Sequence, residues 1–184
     1  MKNIALLIII YWLISACAID SVGELLVRSP KQFLSDVKVV ADSGDLENVE
    51  FVSRWLRVEY RRGARGAVYD SSGQSVDGYG VDMTRHASSK EYSRDGSFYY
   101  GIYQPNGGDF YRARISLPIN SDVICVAPCD FIGVFRDVER YPIAHGARWG
   151  YVYDNKATET RVAFSVGDGG CLYRIGILKN QAWR

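Results

Sequence analysis

Motifs for catalysis are absent from this 184-residue chain. It has no G-x-S-x-G nucleophile elbow, no H-E-x-x-H helix motif and no phosphate-binding P-loop. Histidine is scarce, and neither His86 nor His145 is spaced from a cysteine as zinc ligands are. The sequence therefore favours a binding protein without a metal or other cofactor. The alternative is a hydrolase of the cell envelope that uses scattered carboxylates or His145 as a base.

An excess of charge of one sign is also absent, since 22 Lys and Arg face 21 Asp and Glu. This balance gives no reason to expect a nucleic acid as partner. One local exception is Arg54–Gly66, in which Arg61 and Arg62 are candidates for binding the carboxylates of another protein. The alternative is a solvated strand edge whose arginines pair with Glu50 and Glu59.

No apolar run is long enough to span a bilayer as a helix, which takes about 20 residues. The run Ile4–Ile14 follows Lys2 and precedes small residues at positions 15, 16 and 18, the layout of a secretory signal. Cleavage after Ala18 would release a free protein. Cleavage before Cys17 is favoured, because Ile14-Ser15-Ala16-Cys17 resembles the bacterial lipobox, whose cysteine becomes the lipid-bearing N-terminus.

The lipobox resemblance divides the chain into three parts. Residues 1–16 are a signal peptide, residues 17–44 a lipid-anchored N-terminal segment, and residues 45–184 a single domain. Several acyl chains such as palmitate on Cys17 would anchor the protein firmly, since each buried CH₂ contributes about 0.8 kcal/mol. Ala18 is not the acidic residue associated with inner-membrane retention. The resemblance therefore implies the outer membrane, with the domain facing the periplasm.

Cysteine is sparse beyond Cys17, with Cys125, Cys129 and Cys171. In an oxidising compartment two of these three should pair. Cys125 and Cys129 could close a small ring, whereas a bridge from Cys171 to either would close over forty residues and contribute about 4 kcal/mol in the chain-entropy model. A bridge to Cys171 is favoured, because Cys125 ends a strand-like run and Cys171 begins one.

Hydrophobic periodicity predicts an α+β fold, an antiparallel sheet with a few short helices packed on one face. Helices are expected from Pro30, over Leu46–Leu56 with Asp45 as its cap, and around Phe131. The expected strands are LRVEYR, SFYYGIYQ, DFYRARISLPI, WGYVYD, TRVAFSVG and CLYRIGILK. Two half-repeats, at 45–124 and 125–184, are a candidate organisation.

The segments DFIGVFRDV, WGYVYD, TRVAFSV and CLYRIGIL lie in the last third of the chain. They resemble the helix-then-meander unit of small outer-membrane lipoproteins of the SmpA/OmlA type. A tandem of such units resembles the β-lactamase inhibitor protein fold. The resemblance implies an envelope protein that binds another protein and does no chemistry. The protein would act as an inhibitor, an immunity protein or an accessory subunit. Its partner would be a toxin, a cell-wall enzyme or an envelope complex.

Two stretches carry candidate contact residues. The loop Tyr141–Tyr153 holds Arg148, Trp149 and Tyr151, of residue types that often anchor interfaces; the alternative is that Trp149 and Tyr151 pack under the helix. In SFYYGIYQ, alternation would turn two tyrosines, at positions 99 and 103, away from the core.

The lipobox yields a direct test. Growth with a labelled fatty acid should mark the wild-type protein and leave the Cys17→Ser variant unmarked, because serine offers no thiol for lipid attachment. Gel fluorography of both proteins at equal expression measures the difference. Equal labelling of the two would contradict a lipid on Cys17.

Overall fold

The computed structural model describes residues 26–142 and 149–180. The predicted signal peptide, Cys17, His145 and Arg148 lie outside these residues. The described chain has the predicted α+β fold, with three helices and a nine-stranded antiparallel sheet. None of the helices in this part is long and apolar enough to cross a membrane.

The helices are α1 (Pro30–Ser43), α2 (Val49–Leu56) and α3 (Pro128–Phe135). The strands are β1 (Val58–Arg62), β2 (Gly66–Tyr69), β3 (Val76–Ser88), β4 (Tyr99–Pro105), β5 (Arg112–Pro118), β6 (Val138–Pro142), β7 (Trp149–Asn155), β8 (Thr160–Val166) and β9 (Leu172–Lys179).

The sheet joins two meanders at their last strands. Its order is β1-β3-β4-β5-β9-β8-β7-β6, and Ile115 of β5 pairs with Ile177 of β9 at the junction. Helix α2 precedes the first meander and α3 precedes the second. Strands β1 and β2 pair with successive parts of β3, so together they form one bent edge strand broken at 63–65.

Helix α1 begins where the sequence predicts. Ser29 Oγ accepts a hydrogen bond from the Gln32 backbone N–H at 3.3 Å, and Gly44 ends the helix at a φ of 65°. Five of its residues are buried in the common core: Phe33, Leu34, Val37, Val40 and Ala41. Part of the range 17–44, set apart on sequence as an N-terminal segment, therefore packs with the rest of the described chain.

The predicted start of the second helix is wrong. Helix α2 begins at Val49, and Asn48 caps it by accepting from the Phe51 N–H at 3.0 Å. The reason is tertiary: Leu46 N–H donates to Tyr111 Oη at 2.9 Å, and Tyr100 Oη donates to Leu46 O at 2.6 Å. These bonds hold Leu46 in a turn, so Asp45 caps nothing.

One sheet face is covered by the helices. Along β8, Thr160, Val162, Phe164 and Val166 are buried, and the residues between them are partly exposed. The ring of Phe131 in α3 stacks on Phe164 at 4.8 Å between centroids. The opposite face, here called the open face, has no helix on it in the described part of the chain.

A disulfide joins Cys125 to Cys171, with 5.1 Å between their Cα atoms and a sequence separation of 46. It ties the loop before α3 to the turn between β8 and β9. Cys129 is free and exposed. The pair is one of the two long bridges that the sequence left open.

A buried ion cluster surrounds Arg28, whose side chain is fully inaccessible. Its backbone N–H and its Nε both donate to Glu91 Oε1 at 3.0 Å, and Nη1 donates to Asp36 Oδ2 at 2.9 Å. The guanidinium also donates to the carbonyls of Trp55 and Leu56 at the end of α2. Four separate segments of the chain thus meet at one cation.

The far end of α1 carries a second polar contact. Asp42 Oδ1 accepts from Tyr153 Oη and from Asn155 Nδ2, each at 2.9 Å, and Lys38 pairs with the same carboxylate. Burial alone would raise the pKa of Asp42, but these hydrogen bonds outweigh it and hold that pKa below its ordinary value. Helix α1 is therefore fixed to the second meander as well as the first.

Replacing Arg28 with methionine should lower the free energy of unfolding by about 3–5 kcal/mol, because Glu91 is left buried without its cation. Urea denaturation of the oxidised protein, followed by circular dichroism, measures the change. Lys31→Met, at an exposed position in the first turn of α1, is the matched control and should change it by less than about 0.5 kcal/mol. Equal midpoints for the two variants would contradict this role of Arg28.

Candidate functional site

The residues of the loop 141–153 that were predicted to bind are divided by the structure. Trp149 is 41% exposed at the start of β7, and the guanidinium carbon of Arg140 lies 3.5 Å from its ring centroid. Tyr151 is buried, 4.9 Å from Phe131 between ring centroids. Tyr151 is thus a core residue beneath α3, the alternative considered on sequence, while Trp149 remains at the surface.

The other predicted pair, Arg61 and Arg62, is exposed on β1. Arg61 lies 3.4 Å from Glu59, as expected for a solvated strand edge. Between β1 and β7 are six strand spacings, about 29 Å at about 4.8 Å each. Arg61 and Arg62 therefore cannot share one small site with Trp149.

A trough of about 960 Å³ lies on the open face near the bend of the edge strand. Its floor includes the backbone of Gly80 and of Gly101, and the side chain of Tyr99 lies over Gly101. One wall is β2 with the bend before it, and the other is formed by side chains of β4 and β5. The Tyr–Arg trough, as it is called below, is named for its wall residues Tyr99, Tyr103, Arg112 and Arg114.

The tyrosines lie flat on the sheet because glycines leave room beneath them. A Cβ atom at position 101 would lie 2.2 Å from Tyr99 Oη, and one at position 78 would lie 2.6 Å from the Tyr103 ring. Tyr103 Oη also donates to Asp77 Oδ2 at 2.7 Å. Gly78 and Gly101 thus set the positions of both rings, and the outward direction predicted for these tyrosines agrees with their exposure.

Three polar groups converge above Gly101. Tyr99 hydrogen-bonds to Asp82 on β3, and the guanidinium carbon of Arg114 lies 5.9 Å from the Tyr99 ring. Partial burial raises the pKa of Tyr99, the Asp82 carboxylate raises it further, and Arg114 opposes the rise. This part of the trough offers an acceptor, a donor and an aromatic ring within one small area.

Arg112 and Arg114 are exposed and face the same side of β5. In the described ranges neither guanidinium has a hydrogen bond or an ion pair. Their neighbours on the open face differ: Arg174 donates to Ser116 Oγ at 2.9 Å, and Arg161 pairs with Asp154. The trough therefore presents two cations able to bind carboxylates of another molecule.

Within residues 26–142 and 149–180, no three His, Cys, Asp or Glu side chains gather as metal ligands would. His86 is exposed on β3. Asp82 and Asp154 are separated by five strand spacings, about 24 Å, whereas glycosidase carboxylates lie roughly 5–9.5 Å apart. These two carboxylates cannot act as such a pair.

The sequence analysis missed both arginines of the trough and Asp82. A signal for the two arginines exists in the segment RARISL, where Arg112 and Arg114 alternate with the apolar Ala113 and Ile115. That period of two turns both arginines to the face opposite the core.

Comparison with protein-family models, with curated proteins and with solved structures gives no match. The open face and its Tyr–Arg trough are therefore the features from which a function can be inferred.

The convergence above Gly101 predicts opposite pKa changes in two variants. Asp82→Asn should lower the pKa of Tyr99, because it removes the carboxylate that favours the neutral phenol. Arg114→Gln should raise the same pKa, because it removes the cation that stabilises the phenolate. NMR titration with ¹³Cζ-labelled tyrosine, assigned by Tyr99→Phe, measures both. Shifts of the same sign would contradict the arrangement described.

Proposed function

We propose that the protein is an exported bacterial lipoprotein that binds another protein through its Tyr–Arg trough. It is held by lipid on Cys17 at the outer membrane and faces the periplasm. The observation that supports the binding proposal is a pair of guanidinium groups that contact aromatic rings but have no hydrogen bond or ion pair in the described chain, on a sheet face that no described helix covers.

Residue chemistry favours a protein as the partner. Tyrosine and arginine are among the residues that most often dominate the binding energy of protein interfaces. The trough is open along its length, as suits a segment of a large molecule, whereas drug-sized ligands usually occupy enclosed, mostly apolar pockets. Tyr99 and Tyr103 are already held by Asp82 and Asp77, so binding would cost little additional side-chain entropy.

The sequence around Cys17 supports the location. The lipobox resemblance supplies the anchor, and the disulfide between Cys125 and Cys171 fits an oxidising compartment. Eight residues lie between Cys17 and Leu26, the first described residue, so the nine steps from Cα to Cα can span at most about 32 Å. The domain would thus work close to the membrane, on a toxin, a cell-wall enzyme or a subunit of an envelope complex.

Photo-cross-linking in living cells tests the proposed surface. Benzoylphenylalanine replaces Val68 in the trough or, as the matched control, Val39 on the helix side; these residues are 38% and 37% exposed. We expect a single adduct from position 68 and none from position 39, because the partner lies on the open face. Mass spectrometry of the adduct identifies the cross-linked protein.

A binding assay then checks the identified protein. The purified partner should bind the wild type and lose at least about tenfold in affinity for the Arg112→Gln, Arg114→Gln double variant, since charge-assisted hydrogen bonds are lost. His86→Ala should leave binding unchanged. An adduct that forms only from position 39, or none from position 68, would rule out the trough as the binding surface.

A further inference from the structure

We infer that the trough binds an extended segment of its partner whose acidic side chains occupy alternate positions. This inference rests on the proposed function and specifies the chemistry of the partner. Two carboxylates of the segment would bind Arg112 and Arg114, and the main chain of the segment would lie along β5. A Glu-x-Glu or Asp-x-Asp pattern in extended conformation meets this description.

The spacing of the two arginines along β5 favours an extended ligand. Arg112 and Arg114 are two residues apart on one strand, so their Cα atoms are separated by about 6.8 Å on the same face. Alternate side chains of an extended ligand repeat at the same distance. A helical ligand would instead turn residues i and i+2 to different sides. One register of an extended acidic segment can therefore satisfy both guanidinium groups together.

The residues on the strands beside the two arginines favour one placement of the acidic side chains of the ligand. Arg114 pairs with Gly101 and Arg112 with Tyr103 in the register of β4 and β5. Beyond Gly101 on the next strand lies Asp82, whose negative charge repels a carboxylate on that side. The acidic side chains of a ligand are thus directed to β5, and its N–H or hydroxyl donors to Asp82.

The shape of the floor carries the third step. Gly80 presents no side chain between β2 and the ring of Tyr99 that covers Gly101, so the main chain of a ligand can approach the sheet closely at Gly80. Tyr99 and Tyr103 offer ring surface beside each arginine, with the guanidinium carbon of Arg112 6.0 Å from the Tyr103 ring centroid. Each of the two acidic residues of the ligand can therefore make an ionic contact with an arginine and an apolar contact with the tyrosine beside it.

Labelled peptides test this inference with the full mature protein in detergent micelles. The probes are three nonapeptides built from threonine and serine, each labelled with an uncharged dye. The first carries Glu at positions 4 and 6, the second Glu at positions 4 and 7, and the third Gln at positions 4 and 6. Fluorescence anisotropy at low salt should show the first binding about tenfold more tightly than the third and clearly more tightly than the second.

Variants connect the preference to the two arginines. The Arg112→Gln, Arg114→Gln double variant should bind all three peptides equally weakly. Arg54→Gln removes one positive charge at an exposed position of α2, outside the trough. This control variant should retain the preference for the first peptide. Added salt should weaken binding of the first peptide to the wild type and leave the double variant unaffected.

Three results would overturn the inference. They are equal binding of the two Glu peptides, no binding of either, and an unchanged preference in the double variant. If one of these occurs while position 68 still cross-links to a partner, the proposed function stands and only the acidic register is wrong. Absence of that cross-link counts against the proposed function itself.

Discussion

The buried guanidinium of Arg28 joins the first two helices to the sheet on the face that they cover. A cation taken out of water must have its donors satisfied, and here the partners come from α1, from the end of α2 and from the connection between β3 and β4. Tyr92 completes the cluster, where burial raises its pKa to about 12 despite the adjacent cation. With Asp42 bound to β7, helix α1 has one position across both meanders.

The open face follows from this arrangement, because helices fixed on one side leave the other without cover in the described chain. The two faces use tyrosine differently. On the helix side, Tyr100 and Tyr111 donate to main-chain carbonyls of the turn before α2. On the open face, Tyr99 and Tyr103 lie over glycines and bond to carboxylates. The first pair stabilises the fold, while the second forms a surface ready for contact.

Features encoded over a few residues could be predicted from the sequence, and those that depend on distant pairing could not. The start of α1 at Ser29-Pro30 and the alternation in β8 are local. Strand β3 was not predicted, although it is the longest of the described strands, because Gly78 and Gly80 lower its strand propensity. These glycines make sense only beside Tyr103 and the trough. The outward direction of Arg114 could be predicted from the alternation in its strand. Its lack of an ion-pair partner depends on the neighbouring strands β4 and β9, which the sequence does not specify.

Arg112 and Arg114 differ from the arginines near them on the open face, which have polar partners within the protein. Arg28, Arg161 and Arg174 each bind a carboxylate, a hydroxyl or a carbonyl. Acidic residues are nearly as numerous as basic ones, yet no carboxylate of the described chain forms an ion pair with Arg112 or Arg114, although Asp82 lies in the same trough. Two cations on alternate residues of one strand, with Cα atoms about 6.8 Å apart, repel each other at a modest cost in water. Carboxylates supplied by another molecule would remove that repulsion and gain charge-assisted bonds, so the pair is better explained by recognition than by stability of the isolated domain.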